Sequence, residues 1–231
     1  MALRRKTIVS ALVAVLVIAL AFVAGRQTAP TAATTTTSAP TTTTTAPVVS
    51  QATTAIWPTI ASSVRYATPA AAASGFALAY LHMTDPVVGA YRAGDTRSGE
   101  VPVRGSAGGP ETTVLVRQVT SDASWWVIGA ATQDITINMP STLARVSSPF
   151  AISGVSTAYE GVVNISLRED DVSTPLATGT TMGGSMGQLG PFHSSLAFQT
   201  PTSTYGALVL YTISAKDGSV ASASVIRLRF H

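Results

Sequence analysis

Two apolar runs joined by a polar bend, at residues 148–170, set the pattern for the chain. Val163, Ile165 and Leu167 alternate with Asn164, Ser166 and Arg168. In a strand this period of two sends the first set to a core and the second to water. In the earlier run Phe150, Ile152 and Gly154 share one face and Ala151 and Ser153 the other, with Pro149 at a strand start where a missing donor is tolerated. The final run repeats the device, with Ile226, Leu228 and Phe230 inside and Arg227, Arg229 and His231 outside. Between these last runs Asp217-Gly218 marks a hairpin turn, because glycine accepts positive φ at no steric cost.

Seven strands are predicted from residue 134 onward, at 135–139, 150–156, 161–169, 176–182, 192–198, 207–215 and 220–230. Strands of this length and spacing, separated by turn residues, predict an antiparallel sandwich of immunoglobulin type over 134–231. Upstream, Thr68-Pro69 reads as an N-cap with proline at the first helical position. The helix 70–81 that follows puts Ala73, Phe76, Ala77, Tyr80 and Leu81 on one face. Strand-like runs at 100–104, 112–119 and 125–131 complete a small α+β unit over 62–133. A unit of about 70 residues has a marginal core, so it is expected to lean on its neighbour.

The N-terminal part reads differently. Residues 8–24 are apolar apart from Ser10 and are bracketed by Arg4, Arg5, Lys6 and Arg26. That length sits at the lower limit for a spanning helix, and the short cationic side predicts that the remainder lies outside the cytoplasm. The expectation for 1–26 is a signal anchor. A secreted product cut near Ala19-Leu20-Ala21 is the alternative, disfavoured because the apolar run continues past that tripeptide. Residues 27–61 are rich in Thr, Ala, Pro and Ser, with threonine runs at 34–37 and 41–45, and predict a disordered stalk with folded sequence starting near Ser62.

Charge and composition exclude several functions. The net charge is +3 with a pI of about 9.5, but four of the fourteen basic residues flank the apolar run. The other ten face eleven acidic residues. The basic footprint that phosphate backbones demand is missing, so no nucleic-acid partner is expected. With no cysteine, disulfides, thiolate metal sites and a cysteine nucleophile are excluded.

Four blocks carry a resemblance: SPFAISG at 148–154, YEGVVNISLRED at 159–170, GPFHSSLAF at 190–198 and ISAKDGS at 213–219. In order and spacing they resemble the immunoglobulin-like domain found with GerM-type proteins in bacterial spore germination, over about residues 135–230. The resemblance implies a sandwich on an exported, often membrane-tethered protein of Gram-positive bacteria, non-sporulating actinobacteria included, with a binding role and no established enzymatic activity. Pro149, Gly154, Gly161, Gly190, Pro191 and Gly218 match its motifs, and their roles are in backbone geometry.

Candidate chemistry is sparse. A hydrolase needs a nucleophile with a base held nearby. His193 precedes Ser194 and Ser195 in a predicted strand, where sequence neighbours point to opposite faces. His82 ends a helix and His231 is terminal. Glu169-Asp170-Asp171 is the one place where clustered carboxylates could meet calcium, although the spacing matches no calcium loop. Asn164-Ile165-Ser166 fits a glycosylation pattern but lies in a strand. Adjacent Trp125 and Trp126 must serve two surfaces, a contact between units being favoured over a ligand platform. The glycine-rich stretch 179–190, with Met182 and Met186, lacks the lysine and helix of a phosphate cradle and reads as a flexible recognition loop.

The expectation is therefore a mainly β, single-pass membrane protein presenting a non-catalytic binding module at the cell envelope. Its partners are the cytoplasmic membrane through residues 8–24 and an envelope protein or wall glycan, with no cofactor and no catalytic, cofactor-binding or metal-ligating residue assigned. The alternatives are an envelope hydrolase acting on glycans or esters, and a structural spacer. Convergent Asp85, Asp95 or Glu100 with raised pKa would mark the hydrolase, and an open apolar patch would mark binding.

Overall fold

Alternation is realised where it is strongest. In the computed structural model, which describes residues 51–230, Val163, Ile165 and Leu167 are at most 1% exposed. Each such side chain contributes about 1.5–3 kcal/mol by leaving water. They sit on β9 (Val162–Glu169), which pairs antiparallel with β10 (Ala177–Met182) and β13 (Tyr205–Ile213). β13 pairs in turn with β14 (Val220–Phe230). Across the core lie β6 (Ile135–Met139), β8 (Phe150–Ala158) and β12 (Gly190–Leu196), paired in that order. Ile152, Phe192, Leu208, Leu210, Leu228 and Phe230 fill the space between the layers. The domain is mainly antiparallel β and immunoglobulin-like.

The N-terminal strands extend the same sheet. β1 (Val87–Val88) and β2 (Arg92–Ala93) pair with β3 (Ser98–Arg104), then β4 (Glu111–Arg117) and β5 (Trp126–Thr132) follow. β5 meets β14 at Val225 and Ala130, and meets β6 at Thr132 and Ile135. Two short strands complete the set: β7 (Arg145–Val146), parallel to β14, and β11 (Gly184–Ser185), parallel to β8. All described residues belong to one compact unit.

The helix is capped as its sequence predicts. α1 (Pro69–Gly75) begins after Thr68, whose Oγ1 accepts from Ala71 N at 3.2 Å. It is shorter than 70–81, because Phe76–Tyr80 continue as a wider π turn. Ala73, Phe76, Ala77 and Leu81 are buried against Val101, Val103, Val114 and Val116. Ala207, Val209, Ala223 and Val225 join that cluster from β13 and β14, so these two strands are buried on both faces.

Several expectations are corrected. Folded sequence starts before Ser62: Ala55 and Ile56 are 1% exposed, and Ile56 N and Trp57 O bond to Val127 at 2.8 and 2.7 Å. Trp125 and Trp126 are both buried within the fold, Trp125 beside Tyr91 and Trp126 with Ala55 and Val119. Arg227, placed outside by alternation, is 2% exposed, because the segment before Ser62 covers its face. Within 179–190, residues 179–182 belong to the expected strand 176–182, realised as β10, and the loop that follows is interrupted only by the two-residue strand β11 before β12 begins at Gly190.

The single-pass localisation is also corrected. Among the described residues no helix is long and apolar enough to cross a membrane. Residues 8–24, on which that reading stood, lie outside the described residues, as do residues 27–50 and His231.

Candidate binding cleft

The residues singled out for catalysis do not assemble. Asp85, Asp95 and Glu100 are exposed and line none of the clefts described below. Asp95 moves away from the hydrolase signature: the Arg97 backbone N–H, at 2.7 Å, holds its carboxyl below the usual range, aided by Ser98 and Arg117. His193 is exposed on β12, between Phe192, which points into the core, and Ser194.

Glu169, Asp170 and Asp171 fan out rather than converge. Glu169 Oε2 accepts from the Thr202 and Ser203 amides at 2.6 and 3.1 Å. Asp170 accepts both terminal nitrogens of Arg227 at 2.5 Å. Asp171 accepts from the Thr59 hydroxyl. The three line, with His82, Trp57, Tyr80 and Arg168, a half-open cleft of about 340 Å³. The Arg168 guanidinium lies 4.6 Å over the Tyr80 ring and donates to the Tyr80 carbonyl. Burial pushes the Tyr80 hydroxyl up to about 12, against a smaller opposing pull from Arg168. Among the described residues no group of three or more histidines and carboxylates could hold a metal ion.

A second cleft, of about 500 Å³, opens at the end of the sandwich where β8 and β13 finish and β14 begins. Its walls come from the β3–β4 loop, the β8–β9 bend and the β13–β14 turn. The last is built as its sequence predicts: Gly218 adopts φ +74, and Ser214 N bonds to Ser219 O at 2.8 Å. Asp217 Oδ1 accepts from the Ser219 hydroxyl at 2.7 Å and its amide at 3.1 Å, which lowers the Asp217 pKa and rigidifies the turn.

The rim beside this cleft is apolar. Tyr159 is 64% exposed, Met186 71%, and Met182, Leu189 and Ile213 are exposed as well. Backbone bonds gather Tyr159, Met182 and Met186: Met186 N bonds to Ala158 O at 3.1 Å, Gly183 N to Gly161 O at 2.9 Å, and Met182 pairs with Val162. Gly161, at φ +76, makes the bend possible.

Besides Asp217 in the turn, a second acidic group reaches the cleft wall. Asp134, in the turn between β5 and β6, is half-buried, and its Oδ2 accepts from Ser222 Oγ at 2.9 Å. Ser222 is fully buried and hydrogen-bonds Thr212, its partner in register, at 2.9 Å. Asp134 received no role from the sequence. The available signal was the facing pair of hydroxyl residues, Thr212 and Ser222, since a buried polar pair needs a third partner.

Residues 134–219 match the family model of the immunoglobulin-like domain of bacterial spore germination. The resemblance carried by the four sequence blocks is thus confirmed, with bounds 134–219 in place of 135–230. This germination-type domain supplies Asp134, the β8–β9 bend and the β13–β14 turn, whereas Ser222 and the β3–β4 loop lie outside the match. No curated protein and no solved structure matches the chain.

Proposed function

We propose that the protein is a non-catalytic binding module that docks a partner protein of the bacterial envelope at the end of its germination-type domain. The observation that carries this reading is the apolar rim of Tyr159, Met182, Met186, Leu189 and Ile213 beside an open cleft. Contiguous exposed apolar surface marks interaction sites in folded domains. Methionines suit it to a peptide surface, because their flexible thioethers repack against varied side chains. A wall glycan would instead favour a flat aromatic platform, and Tyr159 is the only aromatic ring on this rim.

Photo-crosslinking side chains placed at 159 and 186, compared with 139 on a different surface, test the reading in intact cells. Crosslinks from the first two positions to one envelope protein are expected. Equal adducts from all three positions, or adducts to wall glycan, would remove it.

The smaller cleft beside His82 and Glu169 supports a second reading, an envelope hydrolase. It is the weaker one, since Glu169 and Asp170 are already engaged by hydrogen bonds. Loss of a glycan- or ester-cleaving activity in His82→Ala, with the fold intact, would revive it.

A further inference from the structure

Asp134 brings a charge to the cleft that nothing else in the described chain neutralises. Of the other half-buried carboxylates, Glu111 and Asp170 pair with arginine and Glu169 accepts from two backbone amides. Among the described residues no arginine or lysine lies within salt-bridge range of Asp134. A partly desolvated carboxylate is costly without a compensating partner, yet this one is held in place. An ionised carboxylate only accepts, so Ser222 must donate its single proton to Asp134, and Thr212 must donate to Ser222. The two buried hydroxyls fix one oxygen of the carboxylate, and Asp134 lines this cleft as well as a neighbouring one that it shares with Arg104 and its partner Glu111.

Tyr159, Ile213, Val220, Ala221 and Pro110 give the same cleft its apolar lining, beside several serine and threonine residues. Lys216 and Asp217 share the turn at the mouth and offset one another, so Asp134 sets the sign inside. A cleft with apolar lining and a fixed carboxylate in its wall is complementary to a side chain with an aliphatic stem and a cationic head, the stem lying on apolar carbon and the head pairing with the acid. The volume is in the range that encloses small ligands.

We propose that the cleft receives a lysine or arginine side chain of the docked partner protein, with Asp134 as its counter-ion. This rests on the docking reading above and adds the chemistry of the anchor.

The test uses the isotope-labelled protein and three small probes: the Nα-acetyl N-methylamides of lysine, arginine and norleucine. Norleucine has a straight aliphatic stem like that of lysine and lacks the cation. Amide shifts at Asp134, Tyr159 and Ile213 are followed by NMR, and binding of the cationic probes about tenfold tighter than that of norleucine is expected, as for one charged hydrogen bond. Raising the salt concentration on the unmodified protein is expected to erode this preference. Asp134→Asn is expected to abolish it while norleucine binding persists, and Ser222→Ala to weaken it partially.

Equal affinity of the cationic probes and norleucine overturns the counter-ion assignment and leaves docking intact. So does a preference that survives both salt and Asp134→Asn. If no probe moves these amides, the docking reading falls and the assignment with it.

Discussion

Replacing Asp170 with alanine should destabilise the fold more than any comparable surface change, because it strands the Arg227 guanidinium. That group is 3% exposed, is held by Asp170 through two bonds of 2.5 Å, and reaches the Thr53 carbonyl with Nε at 2.9 Å. Removing one partner of such a pair costs about 3–5 kcal/mol, since the remaining charge has neither water nor counter-charge. For a unit of this size each kcal/mol lowers Tm by about 2–4 °C, so a fall on the order of 10 °C is expected. Urea unfolding of Asp170→Ala, Arg227→Met and the double variant closes a cycle. The double variant should recover much of the loss, because two apolar side chains bury without a desolvation penalty. A loss below about 1 kcal/mol in Asp170→Ala, the value for an exposed pair, would refute the claim that Arg227 is sealed from solvent.

Alkaline stability reports on Tyr80. Its pKa rises from 10.0 to about 12 in the fold, so the neutral form is favoured there. The associated stabilisation is whole below pH 10 and is lost as pH climbs from 10 to about 12. Unfolding midpoints measured across that window should decline in the parent and decline less in Tyr80→Phe. Gly154→Ala should also destabilise. Its Cβ would stand 2.0 Å from the Thr136 carbonyl and 2.6 Å from the Phe192 ring, an overpacking worth about 1–3 kcal/mol or more in a urea titration. Gly108→Ala, with nothing within 4 Å, should leave the midpoint where it is.

What could be read from the chain follows from the range of the signals. Thr68-Pro69, Asp217-Gly218 and the alternation through Val163, Ile165 and Leu167 act within a few residues, and each is realised. Arg227 was misassigned because alternation identifies two faces and says nothing of what covers the second. Here the cover comes from Thr53, 174 residues away. Trp126 is closed off in the same way by Ala55. The glycines of 183–189 predict a loop, and the short pairing of Gly184 and Ser185 with β8 inside it depends on a partner outside the local window. Asp134 became a candidate only when register set Thr212 opposite Ser222 and the β5–β6 turn brought the carboxylate to them.

β14 follows every other strand among the described residues yet lies in the middle of the sheet, between β5 and β13, with side chains in both cores. During synthesis neither core can close until this segment has left the ribosome, so the whole body must assemble after translation of residue 230 rather than domain by domain. The nascent chain therefore exposes β13 and its apolar residues to chaperones and to neighbouring chains until the central strand arrives.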